Sequence, residues 1–350
     1  MLRNKVDADT HIDETEATWE YMTEAERRFK PVSVDPGGHV GPGSGPPHRW
    51  WLIDGKTRIR FWRSDERTGT TVETRELTDV KARLRQMDEM GVDVQVIYPT
   101  SLLAWPTTNP EWQAAICRSY NRWLAERTAE SNGRLRWVVL APMDNMEEAL
   151  NELRFGKEHG AVGVFKRGIE AGNRAAADPY FFPLYEEAMR LDLPICIHVG
   201  GSPVDDRVAR PETASLSHLA FKGVPVRFPT LRFGVIEAMA SWVPYVIALG
   251  KAKGQFSPQF DGGAIQLQAD FFRSNRFFVT AQTSDDIPYL LTCDPGAGDG
   301  LMIGTDYGHP DQSSVMSALN FVEELAERES ISPEAARKIL VDNPRSFYGL

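Results

Sequence analysis

The stretch from Val6 to Glu14, VDADTHIDE, sets alternating acids beside a histidine. Side chains of an extended segment alternate with a period of two, so the spacing Asp9-x-His11 puts a carboxylate and an imidazole on one face. That couple is a borderline-hard ligand pair, suited to Zn²⁺, Mn²⁺ or Fe²⁺. A second reading stays open, because aspartates at a strand end also serve turns through hydrogen bonds to their own backbone. Further chemistry-bearing residues end apolar runs along the chain: Lys166 and Arg167, His198 before Gly200-Gly201, Glu237, and Asp306 before Tyr307-Gly308-His309. A buried strand end has no structural need for such groups, and an unpaired polar group there costs free energy. Singly, each also has a structural role. His198 fits a hydrogen-bonded core histidine, Glu237 an acid at a helix start, and Asp306 a cap. Lys166 and Arg167 fit solvated cations, and His309 and Asp311 fit residues that shape a loop. His218 lies between Leu216 and Leu219, where packing and ligation are both open. Taken together, one site accounts for them better than a series of unrelated accidents.

The elements that must bring these residues together are legible as an alternation. Residues 2–6, running into Asp7, read as a first strand. Apolar runs at 92–98, 135–141, 161–166, 194–199, 232–237, 276–280 and 301–306 read as seven more. Helical segments separate them: one opened by Thr78-Asp79 and stopped by Gly91, then 109–131, 146–159, 181–191, 214–224, 241–251 and 286–291. Two closing helices follow at 314–327 and 333–340. Continuous apolar strands suit a parallel sheet buried on both faces, and eight β-α units favour a (β/α)₈ TIM barrel. A doubly wound open sheet is the alternative, weakened because no GxGxxG follows the first strand. In a barrel, chemistry sits at the C-terminal ends of the strands, where the residues above fall.

Residues 1–350 read as a single barrel domain, with residues 15–76 as a long insertion after the first strand, near the active-site mouth. Its Gly/Pro-rich part, 35–47, excludes helix and central strand. Residues 50–62 read as a hairpin about Asp54-Gly55. Arg58, Arg60 and Trp62 on that hairpin, with Lys166 at the fourth strand end, are candidates for holding a carboxylated ring. An exposed face or a subunit contact would use the same residue types.

The chain of 350 residues carries a net charge of −10, which argues against general nucleic-acid binding. Its 42% hydrophobic content is enough for a substantial core. No apolar run suits a signal peptide or a membrane span. Cys117, Cys196 and Cys293 are widely spaced and read as free thiols of a reducing compartment, so a cytoplasmic location is expected.

The set Asp9-Thr10-His11, Ile197-His198-Val199, Phe228-Pro229, Gly234-Val235-Ile236-Glu237, Trp242 and Gly304-Thr305-Asp306-Tyr307-Gly308-His309 resembles the amidohydrolase superfamily. Within it, the chain looks like the amidohydrolase-related branch that includes aminocarboxymuconate-semialdehyde and resorcylate decarboxylases. Met90 to Gln95 and Asp178 to Phe181 extend the likeness over nearly the whole chain. The resemblance implies a distorted (β/α)₈ barrel holding one divalent metal ion, Zn²⁺ or Mn²⁺, through Asp9, His11, His198 and Asp306. It departs at strand six, where many members have His and this chain has Glu237, so Glu237 stands as ligand, outer partner or base. Lys166 falls where binuclear members keep a carboxylated lysine, but those members usually have a strict His-x-His, so one metal is expected.

A cation on that set would lower the pKa of bound water towards neutrality. Two carboxylate ligands bring the net charge at the metal near zero and open the site to Mn²⁺ as well as Zn²⁺. Asp306 would handle the proton, with Glu237 or His218 as acid. The first expectation is a metal-dependent hydrolase of a small cyclic or aromatic carboxylated substrate, favoured by Glu237 in place of His. The alternative is a non-oxidative decarboxylase of an aromatic acid, and a non-catalytic barrel ranks last. The resemblance further implies a homodimer, while the acidic charge and the lack of a long apolar run point to no nucleic-acid or membrane partner.

Overall fold

A computed structural model describes residues 2–34, 50–59, 65–200, 211–256, 271–293, 296–309 and 313–350. Eight strands form one sheet in chain order: β1 (Val6–His11), β2 (Val94–Tyr98), β3 (Leu135–Leu140), β4 (Ala161–Lys166), β5 (Ile195–His198), β6 (Phe233–Ile236), β7 (Phe277–Ala281) and β8 (Leu301–Ile303). Every pairing along the order is parallel. A parallel bridge between Thr10 and Tyr307, with His11 N donating to Tyr307 O at 3.0 Å, brings the last segment back to the first. The result is a nearly closed (β/α)₈ barrel, as the alternation predicts.

The helices between strands are α1 (Val80–Met90), α2 (Pro110–Ala129), α3 (Met146–Glu158), α4 (Phe182–Arg190), α5 (Pro211–Phe221), α6 (Val243–Phe256) and α7 (Ile287–Cys293), with α8 (Ala318–Glu327) after β8. Their starts follow from capping chemistry. The side chains of Asp79, Asn109 and Asn145 accept from Ala82, Glu111 and Glu148 backbone N–H groups. Each such cap contributes about 1 kcal/mol. Gly91 ends α1 in the left-handed region at φ 65°, which a glycine enters without a Cβ clash.

The structure differs from the sequence expectations at several ends. The first strand begins at Val6 and runs through His11, so Asp9 and His11 lie inside it rather than beyond it. The last strand stops at Ile303, short of Asp306. Just past the stop, Gly304 lets the chain pass tight against β1: a Cβ there would meet Asp9 Cβ at 2.4 Å and Asp9 N at 2.7 Å. That close approach locks the β8 exit onto β1. The closing helix expected over 333–340 is present and runs further: α-helical over Pro333–Arg337, it widens into a π-helical segment over Lys338–Asp342 and continues as an α-helix over Asn343–Tyr348. This last helix seals the barrel. Tyr348 Oη donates to Ala8 O at 2.7 Å, and the Phe347 ring occupies the space a side chain on Gly234 would need.

Of the insertion, the described part holds a three-stranded antiparallel sheet: Val32–Val34, Trp50–Ile53 and Lys56–Ile59. The hairpin turns at Asp54 and Gly55, both at positive φ, as a two-residue hairpin loop requires. Trp51 is buried edge-on against Trp19 at 5.9 Å, and Thr107 Oγ1 donates to Asp54 Oδ2 at 2.6 Å, which ties the turn to the loop after β2. Among the described residues no helix is long and apolar enough to cross a membrane.

Candidate metal centre

β1 delivers Asp9 and His11 to the barrel interior, and β5 delivers His198. Both histidines are oriented by backbone carbonyls. His11 Nδ1 lies 2.8 Å from Pro99 O and His198 Nδ1 lies 2.8 Å from Val199 O. A carbonyl can only accept, so each Nδ1 carries its proton and each Nε2 offers a lone pair when the ring is neutral. Those Nε2 atoms both stand 3.4 Å from Asp9 Oδ1.

The other side of the site comes from the residues leaving β6 and β8. Glu237 and Asp306 both sit in the left-handed region, at φ 59° and 51°. Such backbone is uncommon for residues other than glycine and clusters at functional sites. It is held by Glu237 N donating to Thr280 Oγ1 at 2.8 Å and Asp306 N donating to Asp9 O at 3.0 Å. Glu237 Oε2 lies 3.5 Å from His198 Nε2, and Asp306 Oδ1 lies 3.3 Å from His11 Nε2. His309 stacks on His11 with ring centroids 3.7 Å apart, and its Nδ1 lies 2.6 Å from Asp306 Oδ1.

Beneath the site, Asp7 accepts from Thr305 N at 2.8 Å, Thr305 Oγ1 at 2.7 Å and Gln95 Nε2 at 3.2 Å. Arg83 Nε donates to Gln95 Oε1 at 2.7 Å, and its guanidinium lies 3.3 Å over the Tyr307 ring. This buried network ties β1, β2, α1 and the β8 exit together.

The electrostatics reflect a crowd of like and unlike groups out of water. Counting protein groups alone, burial pushes the Asp306 carboxyl up to about 8, helped by the Glu237 charge. Burial opposes charge on His309, but Asp306 beside it outweighs that and carries it to about 10. His11 falls to about 4, through burial and then His309. Burial raises Asp9, yet His198 and His11 hold its carboxyl below the usual range.

The arrangement fits a divalent cation. Asp9, His11, His198 and Glu237 form one buried group with donor atoms within 4.8 Å of one another, and His11, Glu237, Asp306 and His309 form a second. Among the described residues, His11 Nε2, Glu237 Oε2 and Asp306 Oδ1 are buried with no hydrogen-bond partner. Unpartnered buried polar atoms are costly unless something satisfies them. Donors about 2.1 Å from one ion would stand about 3.0–3.4 Å apart. The observed spacings of 3.3–3.5 Å are close to that.

A model of the family described as amidohydrolase matches residues 6–256, from the first residue of β1 to the last of α6. The chain belongs to the amidohydrolase family. By that membership the protein is an enzyme. It is 23% identical over 285 residues to the 2-amino-3-carboxymuconate-6-semialdehyde decarboxylase of Dictyostelium discoideum, covering 78% of this chain and 77% of that one. Two solved structures share its fold along essentially their whole length. One is an amidohydrolase from Mycobacterium avium subsp. paratuberculosis K-10, with TM-score 0.78, 18% identity and 100% of each chain covered. The other is a dihydroxybenzoic acid decarboxylase from Polaromonas sp. JS666, solved with manganese and 2-nitroresorcinol. There the TM-score is 0.67 and the identity 18%, over 100% of this chain and 98% of that one.

The chain brings Asp9, His11 and His198 together with Glu237, whereas Asp306, expected as the fourth ligand, groups with His11, Glu237 and His309 rather than with Asp9 and His198. His309, for which a loop-shaping role was the plain reading, joins them, and Ser313 was not anticipated at all. Its hydroxyl lies 2.6 Å from Asp306 Oδ2 and 3.1 Å from Glu237 Oε1. A serine in a closing loop carries no signal of its own in sequence. His218 is half-buried on α5 with Lys222 and Asp178 as charged neighbours, and neither convergent group includes it. Lys166 is fully buried, but its ammonium is held by Glu170 Oε1 at 2.8 Å and lies 3.8 Å over the Phe181 ring. The backbone of Arg58 pairs with Trp51; Arg60, Trp62 and Asp311 lie outside the described residues.

Proposed function

We propose that the protein is a metal-dependent, non-oxidative decarboxylase of a small aromatic or similarly unsaturated carboxylic acid. The observation that carries this reading is the 285-residue likeness to a decarboxylase, because the donor set by itself would serve hydrolysis equally well. Hydrolysis, which the replacement of histidine by Glu237 favours in sequence, therefore becomes the second reading. Asp9, His11, His198 and Asp306 would hold the ion. When bound, a divalent ion such as Mn²⁺ supplies Lewis-acid stabilisation for negative charge on the substrate's oxygens.

The chain's own residues account for the rest. Loss of CO₂ leaves an electron pair on the substrate carbon, which must gain a proton. His309 Nδ1 and Asp306 Oδ1 stand 2.6 Å apart, and a proton carried by this pair is the proposed source for that carbon. Solvent then restores it. Stacking on His11 fixes the His309 ring, and the packed barrel end limits access of bulk water, which would compete for that proton. Arg58, Arg60 and Trp62 are proposed, from their residue types alone, to recognise the substrate's carboxylate and ring.

The test is incubation of carboxylated phenols and dienoic acids in H₂¹⁸O and, separately, in D₂O. Decarboxylation is expected to release CO₂, place deuterium on the product carbon and leave ¹⁸O out of the organic product. Product carrying ¹⁸O with no CO₂ released would make the protein a hydrolase instead.

A further inference from the structure

We propose that Glu237 is itself a ligand of the ion, so that three carboxylates and two imidazoles select a hard, high-coordination cation such as Mn²⁺ over Zn²⁺. This deepens the function proposed above and rests on its premise that the site binds a divalent ion.

The two oxygens of Glu237 have different surroundings. Oε1 is 3.1 Å from the Ser313 hydroxyl, whereas Oε2 is buried, has no hydrogen-bond partner among the described residues, and stands 3.5 Å from His198 Nε2. Asp306 repeats the pattern. Its Oδ2 is 2.6 Å from the same hydroxyl, and its Oδ1 stands 3.3 Å from His11 Nε2 with His309 Nδ1 at 2.6 Å on its other side. One serine hydroxyl, with a single hydrogen to donate, lies between the outer oxygens of both carboxylates, and the inner ones face the imidazoles. Through neighbouring contacts of 3.3–3.5 Å, the donors run in the order Asp306, His11, Asp9, His198, Glu237. Glu237 and His11 belong both to the group with Asp9 and His198 and to the group with Asp306, so an ion that Asp306 also reaches draws that carboxylate inward.

The backbone supports the same placement. Glutamate has no intrinsic preference for left-handed φ, yet Glu237 adopts 59°, held by Thr280 Oγ1. His309 is different in kind. At 2.6 Å from Asp306 Oδ1 it is inside the about 3.0 Å that separates two ligands of one ion, so it pairs with the carboxylate. Three carboxylates against a divalent charge leave the centre at −1, and oxygen-rich sets of high coordination number suit Mn²⁺, whereas Zn²⁺ prefers four ligands rich in nitrogen or sulfur.

The test is calorimetric titration of the chelator-stripped full chain with Mn²⁺ and Zn²⁺, with electron paramagnetic resonance of the Mn²⁺ form, on wild type, Asp9→Asn, Glu237→Gln and Glu237→His. Circular dichroism confirms folding of each. Glu237→Gln is expected to weaken Mn²⁺ binding about 10–100-fold or more and to change the Mn²⁺ spectrum, with a smaller loss for Zn²⁺. Glu237→His is expected to move the preference towards Zn²⁺. Wild-type Mn²⁺ affinity and spectrum in Glu237→Gln, with binding lost in Asp9→Asn, would overturn the role of Glu237 alone. No specific binding by wild type would overturn the ion site and with it the function. Should Glu237→Gln not fold, anomalous scattering from a Mn²⁺-soaked wild-type crystal decides. An ion within about 2.4 Å of Glu237 Oε2 supports the proposal, and one beyond about 3 Å overturns it.

Discussion

The two halves of the metal centre are built by different means. Asp9, His11 and His198 stand on parallel strands, Asp9 within a register shift of β1 between Asp7 and Thr10, and the two histidine rings are turned by backbone carbonyls of the loops beside them. Glu237 and Asp306 stand just past strands, in left-handed backbone, and are turned by a serine from a later loop. The first half is positioned by the fold itself. The second is positioned by local strain that the surrounding hydrogen bonds hold in place. Orientation on the strand side should therefore survive loop changes, whereas the Glu237–Asp306 side should be tunable and easily lost.

The largest effect tests the strand half. Asp9→Ala removes the carboxylate that lies 3.4 Å from both histidines. It is expected to abolish stoichiometric metal binding and to lower turnover by about a thousandfold or more, the equivalent of several kcal/mol. Elemental analysis after gel filtration, with steady-state kinetics, checks it. Next is the seam between the halves. Gly304→Ala places a Cβ 2.4 Å from Asp9 Cβ and must push β8 from β1. A loss of about 1–3 kcal/mol in urea denaturation is expected, together with loss of metal.

The strained half predicts the opposite sign. Glu237→Gly relieves left-handed backbone and removes a buried, unpartnered carboxylate oxygen. The metal-free variant should be about 1 kcal/mol more stable than wild type while losing activity. Chemical denaturation of both apo proteins decides this, and a destabilised variant would show that the left-handed turn stores no strain. The smallest effect is a control outside both halves. Arg190 and Arg154 hold the Glu187 carboxyl down at about 2 against an ordinary value of 4.5. Its folded pKa lies below its unfolded one, so the stability it contributes is present above pH 4.5 and is lost as pH falls through about 2. Glu187→Gln should flatten the stability curve across that window by under about 1 kcal/mol, because the arginines face solvent. Denaturation midpoints at stepped pH measure it.

The same contrast explains what could be read from the sequence. The eight strands and the helices between them follow from apolar runs, caps and stops, so the barrel was legible, and with it Asp9, His11 and His198 at strand positions. Asp306 and Glu237 were visible as charged strand ends, but their orientation depends on left-handed backbone, which period-two alternation does not describe. His309 and Ser313 belong to a loop whose geometry arises from tertiary contacts to residues far away in the chain, Glu237 among them. The continuation of the closing helix over Asn343–Tyr348 carries no pattern of its own in sequence, because it is short and is held by packing against β6 and β1. The cation Lys166 drew attention as a strand-end charge, and only coordinates reveal that Glu170 neutralises it.

The most direct test is a crystal structure of the Mn²⁺-loaded protein with anomalous scattering at the manganese edge. The account predicts one peak per chain within about 2.0–2.4 Å of Asp9 Oδ1, His11 Nε2, His198 Nε2 and Asp306 Oδ1. A peak bound elsewhere, or a fully active protein with no peak at all, would contradict it.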